Sequence, residues 1–83
     1  GLQILILFDK IQSYEVNLEL DSALVTAYRV FDISTILDDR EIAAKSLYHI
    51  GYINKLKKDY PKSLKYLKSC KIQSLSKRLL LVA

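Results

Sequence analysis

The chain has 83 residues, 51% of them hydrophobic, a net charge of +4, two glycines and one proline. That is room for one small domain, or a piece of a larger one, with a modest core, and too few turn formers for an all-β protein. The lone Cys70 excludes an intramolecular disulfide, so a reducing, cytoplasmic setting is expected. The apolar runs at 4–8 and 79–83 are too short to span a membrane.

Charge is split along the chain. Residues 1–41 carry −5 and residues 42–83 carry +9, with Asp59 the single acid of the second part. Such halves attract each other, either within a molecule or head to tail between molecules. The basic half is also a candidate surface for an acidic partner.

The apolar residues predict four helices. In 2–16, Leu2, Ile4, Leu5, Leu7, Phe8, Ile11 and Tyr14 recur at steps of three and four, as on a buried helix. Residues 2–8 alone would also suit a short strand, but no partner strand follows. Asp21-Ser22 is the expected N-cap of a second helix running to about Ile36, with Ala23, Leu24, Ala27, Val30, Phe31 and Ile33 inward. Asp38, with Glu41 three residues on, fits a cap for a third helix over about 40–57. Its apolar set is Ile42, Ala43, Leu47, Ile50, Ile53 and Leu56, flanked by Tyr48 and Tyr52. Asp59 can cap a fourth helix, and Pro61 falls in its first turn, where a missing N–H costs nothing. Leu64, Leu67, Cys70 or Lys71, and Leu75 are its expected inner row, Lys62, Lys65 and Lys68 face outward, and Ser74 and Ser76 mark its expected end.

Overlaying residue n on n+40 aligns Leu7 with Leu47, Phe8 with Tyr48, Ala23 with Ser63, Leu24 with Leu64, Ala27 with Leu67 and Ser34 with Ser74. A period of this size signals stacked helical hairpins. Within the second copy, large and small residues fall on Leu47, Ile50, Gly51, Asn54, Tyr60, Ser63, Leu67 and Cys70. In this spacing residues 47–70 resemble a tetratricopeptide (TPR) repeat, of the subclass with a longer, roughly 40-residue period. Five positions differ from the usual type: Leu47 and Leu67 stand for aromatics, Asn54 for Tyr, and Ser63 and Cys70 for Ala. The resemblance is close over 40–76 and looser over 2–36, where Ile11 stands for the glycine and Lys10 for a large apolar residue.

The resemblance implies an all-α fold of antiparallel helical hairpins stacked as a right-handed superhelix. Its first repeat would span about 2–36 and its second about 39–76, with 77–83 opening a further helix or cap. It also implies that Leu47, Ile50, Gly51, Tyr60, Ser63, Leu67 and Cys70 are packing residues. Because a stacked array ordinarily ends in a polar cap, the apolar tail suggests a segment of a longer array. The first helix of each repeat lines the concave face in this family, which places Lys45, Tyr48, Tyr52 and Lys55 on a peptide-binding surface. Two tyrosines between two lysines suit an extended peptide with carboxylate groups.

No residue set suggests catalysis. His49 is the only histidine and lies far from Cys70 in sequence, so neither a metal site nor a nucleophile–base pair is indicated. No glycine-rich phosphate loop is present. Asp38, Asp39 and Glu41 are read as helix caps. The expected function is a non-catalytic protein- or peptide-binding module without cofactor. Two alternatives stand beside it. One is binding of nucleic acid or another anionic surface by the basic run from Lys57 to Arg78, disfavoured because its lysines fall on an outer helix face. The other is self-association through open repeat ends.

Overall fold

The computed structural model describes the backbone of residues 2–82 and the side chains of residues 2–73. Four helices follow in order: α1 (Leu2–Val16), α2 (Leu20–Leu37), α3 (Arg40–Leu56) and α4 (Tyr60–Val82). No strand occurs among the described residues, so the stretch 2–8 is helical. Each helix packs on the next in sequence, as short connections between antiparallel helices require.

The three connections share one chemistry. Leu18, Asp38 and Lys58 each adopt a left-handed conformation, with φ of 59°, 53° and 65°. At each, two backbone N–H groups reach back to carbonyls left free by the ending helix. Leu18 N–H donates to Glu15 O and Glu19 N–H to Tyr14 O; Asp38 N–H donates to Thr35 O and Asp39 N–H to Ser34 O; Lys58 N–H donates to Lys55 O and Asp59 N–H to Asn54 O. This is the Schellman closure, made here without the glycine that usually takes the left-handed position. The turns at Leu18 and Lys58 lie forty residues apart and match bond for bond.

Burial follows the same correspondence. Ile4, Leu7, Ile11 and Tyr14 turn inward on α1, as Ala44, Leu47, Gly51 and Asn54 do on α3. Ala23, Ala27 and Val30 are fully buried on α2, and their counterparts Ser63, Leu67 and Cys70 are buried or half-buried on α4. Ile11, Ala23, Ala27, Val30, Leu47, Ile50 and Ile53 form one core cluster. α3 is its centre, contributing the fully enclosed Ser46, Ile50 and Ile53. The Ser46 hydroxyl donates to Ala43 O, and the Asn54 amide donates to Ile50 O, so these buried polar groups are satisfied within the helix.

Gly51 shows what holds the α3–α4 hairpin close. A Cβ built on it would lie 2.8 Å from Leu67 Cγ and 3.2 Å from the Ser63 carbonyl oxygen. The absence of a side chain lets Leu67 lie directly on the α3 backbone.

Several boundaries differ from expectation. Asp21 does not cap α2. That place belongs to Glu19, whose side chain makes no capping bond, while Asp21 pairs with Lys57 Nζ at 2.8 Å. The cap of α3 is Asp39, which accepts from Ile42 N–H at 3.1 Å, and Asp38 is the left-handed residue before it. Asp59 caps α4 as expected, accepting from Lys62 N–H at 3.3 Å. Leu64 is not an inner residue: it is 56% exposed, and Ser63 is buried in its place. Tyr60 is likewise 60% exposed rather than packed, because among the described residues no helix lies over α4 as α3 lies over α2. α4 does not end at Ser74 or Ser76 but continues to Val82, so residues 77–82 extend it rather than opening a further helix. No Gly or Pro follows Pro61 to stop it, and a helical serine can bond back along its own helix, as the Ser69 hydroxyl does to Lys65 O. The side chains of Leu75, Lys77 and Arg78 lie outside the described residues.

Candidate binding groove

α1 and α3 run side by side, joined by side chains. The His49 imidazole Nδ1–H donates to the Glu15 carboxylate at 2.9 Å, with both side chains largely enclosed. The Phe8 ring lies 5.7 Å from the His49 ring at a tilt of 39°, and the Tyr48 ring lies 5.7 Å away edge-on at 80°. His49 is thus a strut between helices.

A groove of about 430 Å³ lies above this strut, lined by Leu5, Phe8 and Gln12 of α1, by Ala44, Lys45 and Tyr48 of α3, and by Cys70 of α4. It runs on toward the start of α1, where Leu2, Ile4 and Ile42 line a further hollow that shares Leu5, Phe8 and Lys45 with it. Its walls are mainly apolar, with Lys45 and Asp9 as charged groups.

Two of the four predicted binding residues, Lys45 and Tyr48, line the groove. Tyr52 stacks on Tyr48 in near-parallel fashion, with centroids 6.4 Å apart and planes at 6°, and it carries the surface one turn further to the exposed Lys55. Tyr48 is 51% exposed and Tyr52 38%. About 100° of rotation per residue sets the four side chains on one side of α3, between the side that meets α4 through Gly51 and the side that meets α1 through His49. The predicted packing residues Leu47, Ile50, Gly51 and Ser63 are buried, and Leu67 and Cys70 half-buried.

The contribution of α1 was not among the predicted site residues. Leu5 and Phe8 read as core, yet Leu5 is 61% exposed and both border the groove. The available signal was the n+40 overlay, which matches Leu5 with Lys45, Phe8 with Tyr48 and Gln12 with Tyr52.

Burial pushes the Cys70 thiol above its ordinary pKa, more than the neighbouring Tyr48 backbone hydrogen bond lowers it, which favours the unreactive protonated form. No group of three or more metal-ligating side chains occurs among the described residues, and no described helix is long and apolar enough to cross a membrane.

On the opposite side, the Tyr28 and Tyr66 hydroxyls meet at 3.1 Å and tie α2 to α4. Burial first, then the Tyr66 hydrogen bond, pushes the Tyr28 phenol up to about 12. The Asp21 carboxyl is held below the usual range by its hydrogen bond to Lys57 and by that ammonium's charge. Comparison with protein-family models, with curated proteins and with solved structures finds no significant match for the chain.

Proposed function

We propose that the chain is a non-catalytic binding module built from two TPR-like hairpins, and that the α1–α3 groove holds an extended peptide carrying carboxylate groups. The observation that carries this reading is the exposed, stacked Tyr48–Tyr52 pair beside an apolar groove, set between Lys45 and Lys55. Stacked phenol rings offer a rigid amphipathic platform at low conformational cost. Neither Lys45 nor Lys55 forms an ion pair among the described residues, so both ammonium groups are open to a carboxylate. The forty-residue correspondence of turns and burial supports the repeat reading, in which first helices line one face. The module works by presenting this face rigidly, and its setting is taken to be the cytoplasm.

The test is an NMR titration with an extended peptide that alternates aromatic and glutamate residues. Amide shifts should concentrate on Lys45–Lys55 and on Leu5–Gln12, persist in moderate salt, and vanish in Tyr52→Ala. Shifts confined to Lys62–Lys71 that collapse steeply with salt would instead mark a general anionic-surface binder.

A further inference from the structure

The two ends of the helix stack are unlike, and the forty-residue correspondence reveals how. On α3, the side turned away from α4 toward α1 and α2 carries Ser46, Ile50 and Ile53, all fully buried. The corresponding residues of α1 are Ile6, Lys10 and Ser13, all exposed. α1 thus has a mostly polar outer side where α3 has an apolar one. The opposite holds for the second helices. On α2, Leu20, Leu24 and Phe31 are half-buried and pack against the core. The corresponding residues of α4 are Tyr60, Leu64 and Lys71, of which Tyr60 is 60% and Leu64 56% exposed.

We infer that this open side of α4 is a docking surface for an amphipathic helix with an apolar stripe and acidic flanks. The apolar part is Tyr60 and Leu64, in the first two turns of α4. Exposed Lys68 and Lys71 stand on the same side further along, and Lys65 lies at its edge. None of these three lysines forms an ion pair among the described residues, and Asp59, already bonded to the Lys62 N–H, is the one acid in 42–83. Charge complementarity therefore selects an acidic partner, and the placement of the charges gives it direction. A helix lying on α4 antiparallel, as α3 lies on α2, sets its first turns against Lys68 and Lys71 and its later turns against Leu64 and Tyr60. Its carboxylates belong in the N-terminal half, where the helix dipole also favours them, and its apolar stripe in the C-terminal half.

A second copy of the chain fits poorly. Its α1 would bring Lys10 and Ser13 against Leu64 and the lysines, and its α4 would set lysine against lysine.

The experiment uses the intact chain and two synthetic peptides of α3's length with the same Ala/Ile stripe. One carries glutamates on its N-terminal flanks and the other lysines. Fluorescence anisotropy of labelled peptide and amide shift mapping are the readouts. The acidic peptide should bind with shifts on Tyr60–Lys71, and the basic one at least about tenfold more weakly. Leu64→Lys should weaken the acidic peptide by about tenfold or more, and Lys68→Glu with Lys71→Glu should invert the preference. All three substitutions are at exposed sites, and Tyr48→Ala serves as a control that leaves this binding intact. Equal binding of both peptides, shifts confined to the α1–α3 groove, or no binding would overturn the inference. So would concentration-dependent self-association of the chain that Leu64→Lys abolishes, which would make a second copy the occupant.

Discussion

The two hairpins close with the same backbone bonds but fill their interiors with opposite choices. In α3–α4 the glycine is on the first helix and the large residue on the second: Gly51 faces Leu67. In α1–α2 the corresponding positions hold Ile11 and Ala27, both fully buried. Large and small have changed places. Two helices approach to the distance set by their combined side-chain volume, so Ile with Ala serves where Gly with Leu does. The first hairpin, which looks like a poor copy when Ile11 is judged alone, is a complementary one when the pair is judged together.

The comparison breaks most visibly at the outer side of the first helices. Ile50 is fully enclosed, and its counterpart Lys10 is exposed. Ile50→Lys buries an ammonium without a partner at a cost of about 3–5 kcal/mol, comparable with the whole stability of a small domain. The expected result is loss of the cooperative melt by circular dichroism. Lys10→Ile should change stability by no more than about 0.5 kcal/mol. Adding Ser13→Ile gives α1 the outer side of α3, and the chain should then gain mass with concentration in ultracentrifugation. Equal sensitivity at positions 10 and 50 would show that α1 is covered as α3 is.

The exchange of large and small is tested by making the second hairpin resemble the first. Gly51→Ile alone drives a branched side chain into Leu67 and the Ser63 carbonyl, and overpacking of this kind costs about 1–3 kcal/mol. Leu67→Ala alone leaves a void costing about 2–5 kcal/mol when fully formed, less here because Leu67 is half-buried. The double variant Gly51→Ile/Leu67→Ala should be more stable than the sum of the two losses by about 1 kcal/mol or more. Strict additivity in denaturant titrations would refute the volume account.

Much of this architecture is legible in the residues, for reasons that also explain the misses. Periodic apolar positions and the turn residues reported four helices, because those signals act within a few residues of one another. The Asp38-Asp39 pair was ambiguous by one place: either aspartate suits a cap, and the left-handed closure of α2 assigns Asp39. Leu64 reads as an inner residue because apolar character favours it, whereas close helix contact favours the small Ser63, which the resemblance already marks for packing and which is buried. Tyr60 reads as a packing residue from the repeat resemblance, which supplies a covering helix that the described residues do not. Spacing alone puts Lys45, Tyr48, Tyr52 and Lys55 on one face of α3, the repeat resemblance is what marks that face for binding, and of the four Lys45 and Tyr48 line the groove. The Glu15–His49 strut and the Leu5–Phe8 wall depend on how α1 lies beside α3, which no local pattern encodes.

Alkaline pH offers a smaller, specific contrast between the second helices. Tyr28 and Tyr66 meet across α2 and α4, and the Tyr28 phenol is raised from its ordinary 10 to about 12. A raised folded-state value means the neutral phenol is favoured by folding. The contribution is fully present below pH 10 and is lost as pH rises toward about 12. Thermal stability should fall across that window, and fall less in Tyr28→Phe, which has no phenol to ionise. Identical declines in the two proteins would assign the alkaline loss to other groups.

The smallest expected effect lies at the starts of α2 and α4. Asp59 and Glu19 occupy corresponding places, and both carbonyls accept the first helical bond, from Ser63 N–H and Ala23 N–H at 3.0 Å each. Asp59 adds a side-chain bond to Lys62 N–H, whereas Glu19 adds none. The difference is one methylene: an aspartate oxygen sits where a first-turn N–H points, and the longer glutamate must fold back on itself to reach there. Glu19→Asp should therefore supply the missing cap and stabilise the chain by about 0.5 kcal/mol, while Asp59→Ala should cost about 1 kcal/mol. For a chain of this size a change of 0.5 kcal/mol moves the melting temperature by roughly 2–4 °C, within reach of a careful thermal melt. The backbone at Glu19 bears on the outcome, since its ψ of 70° falls short of the 100° at Asp39, where the cap is made. A melting temperature unchanged by Glu19→Asp would therefore locate the difference between the hairpins in the backbone of the first turn rather than in its side chain.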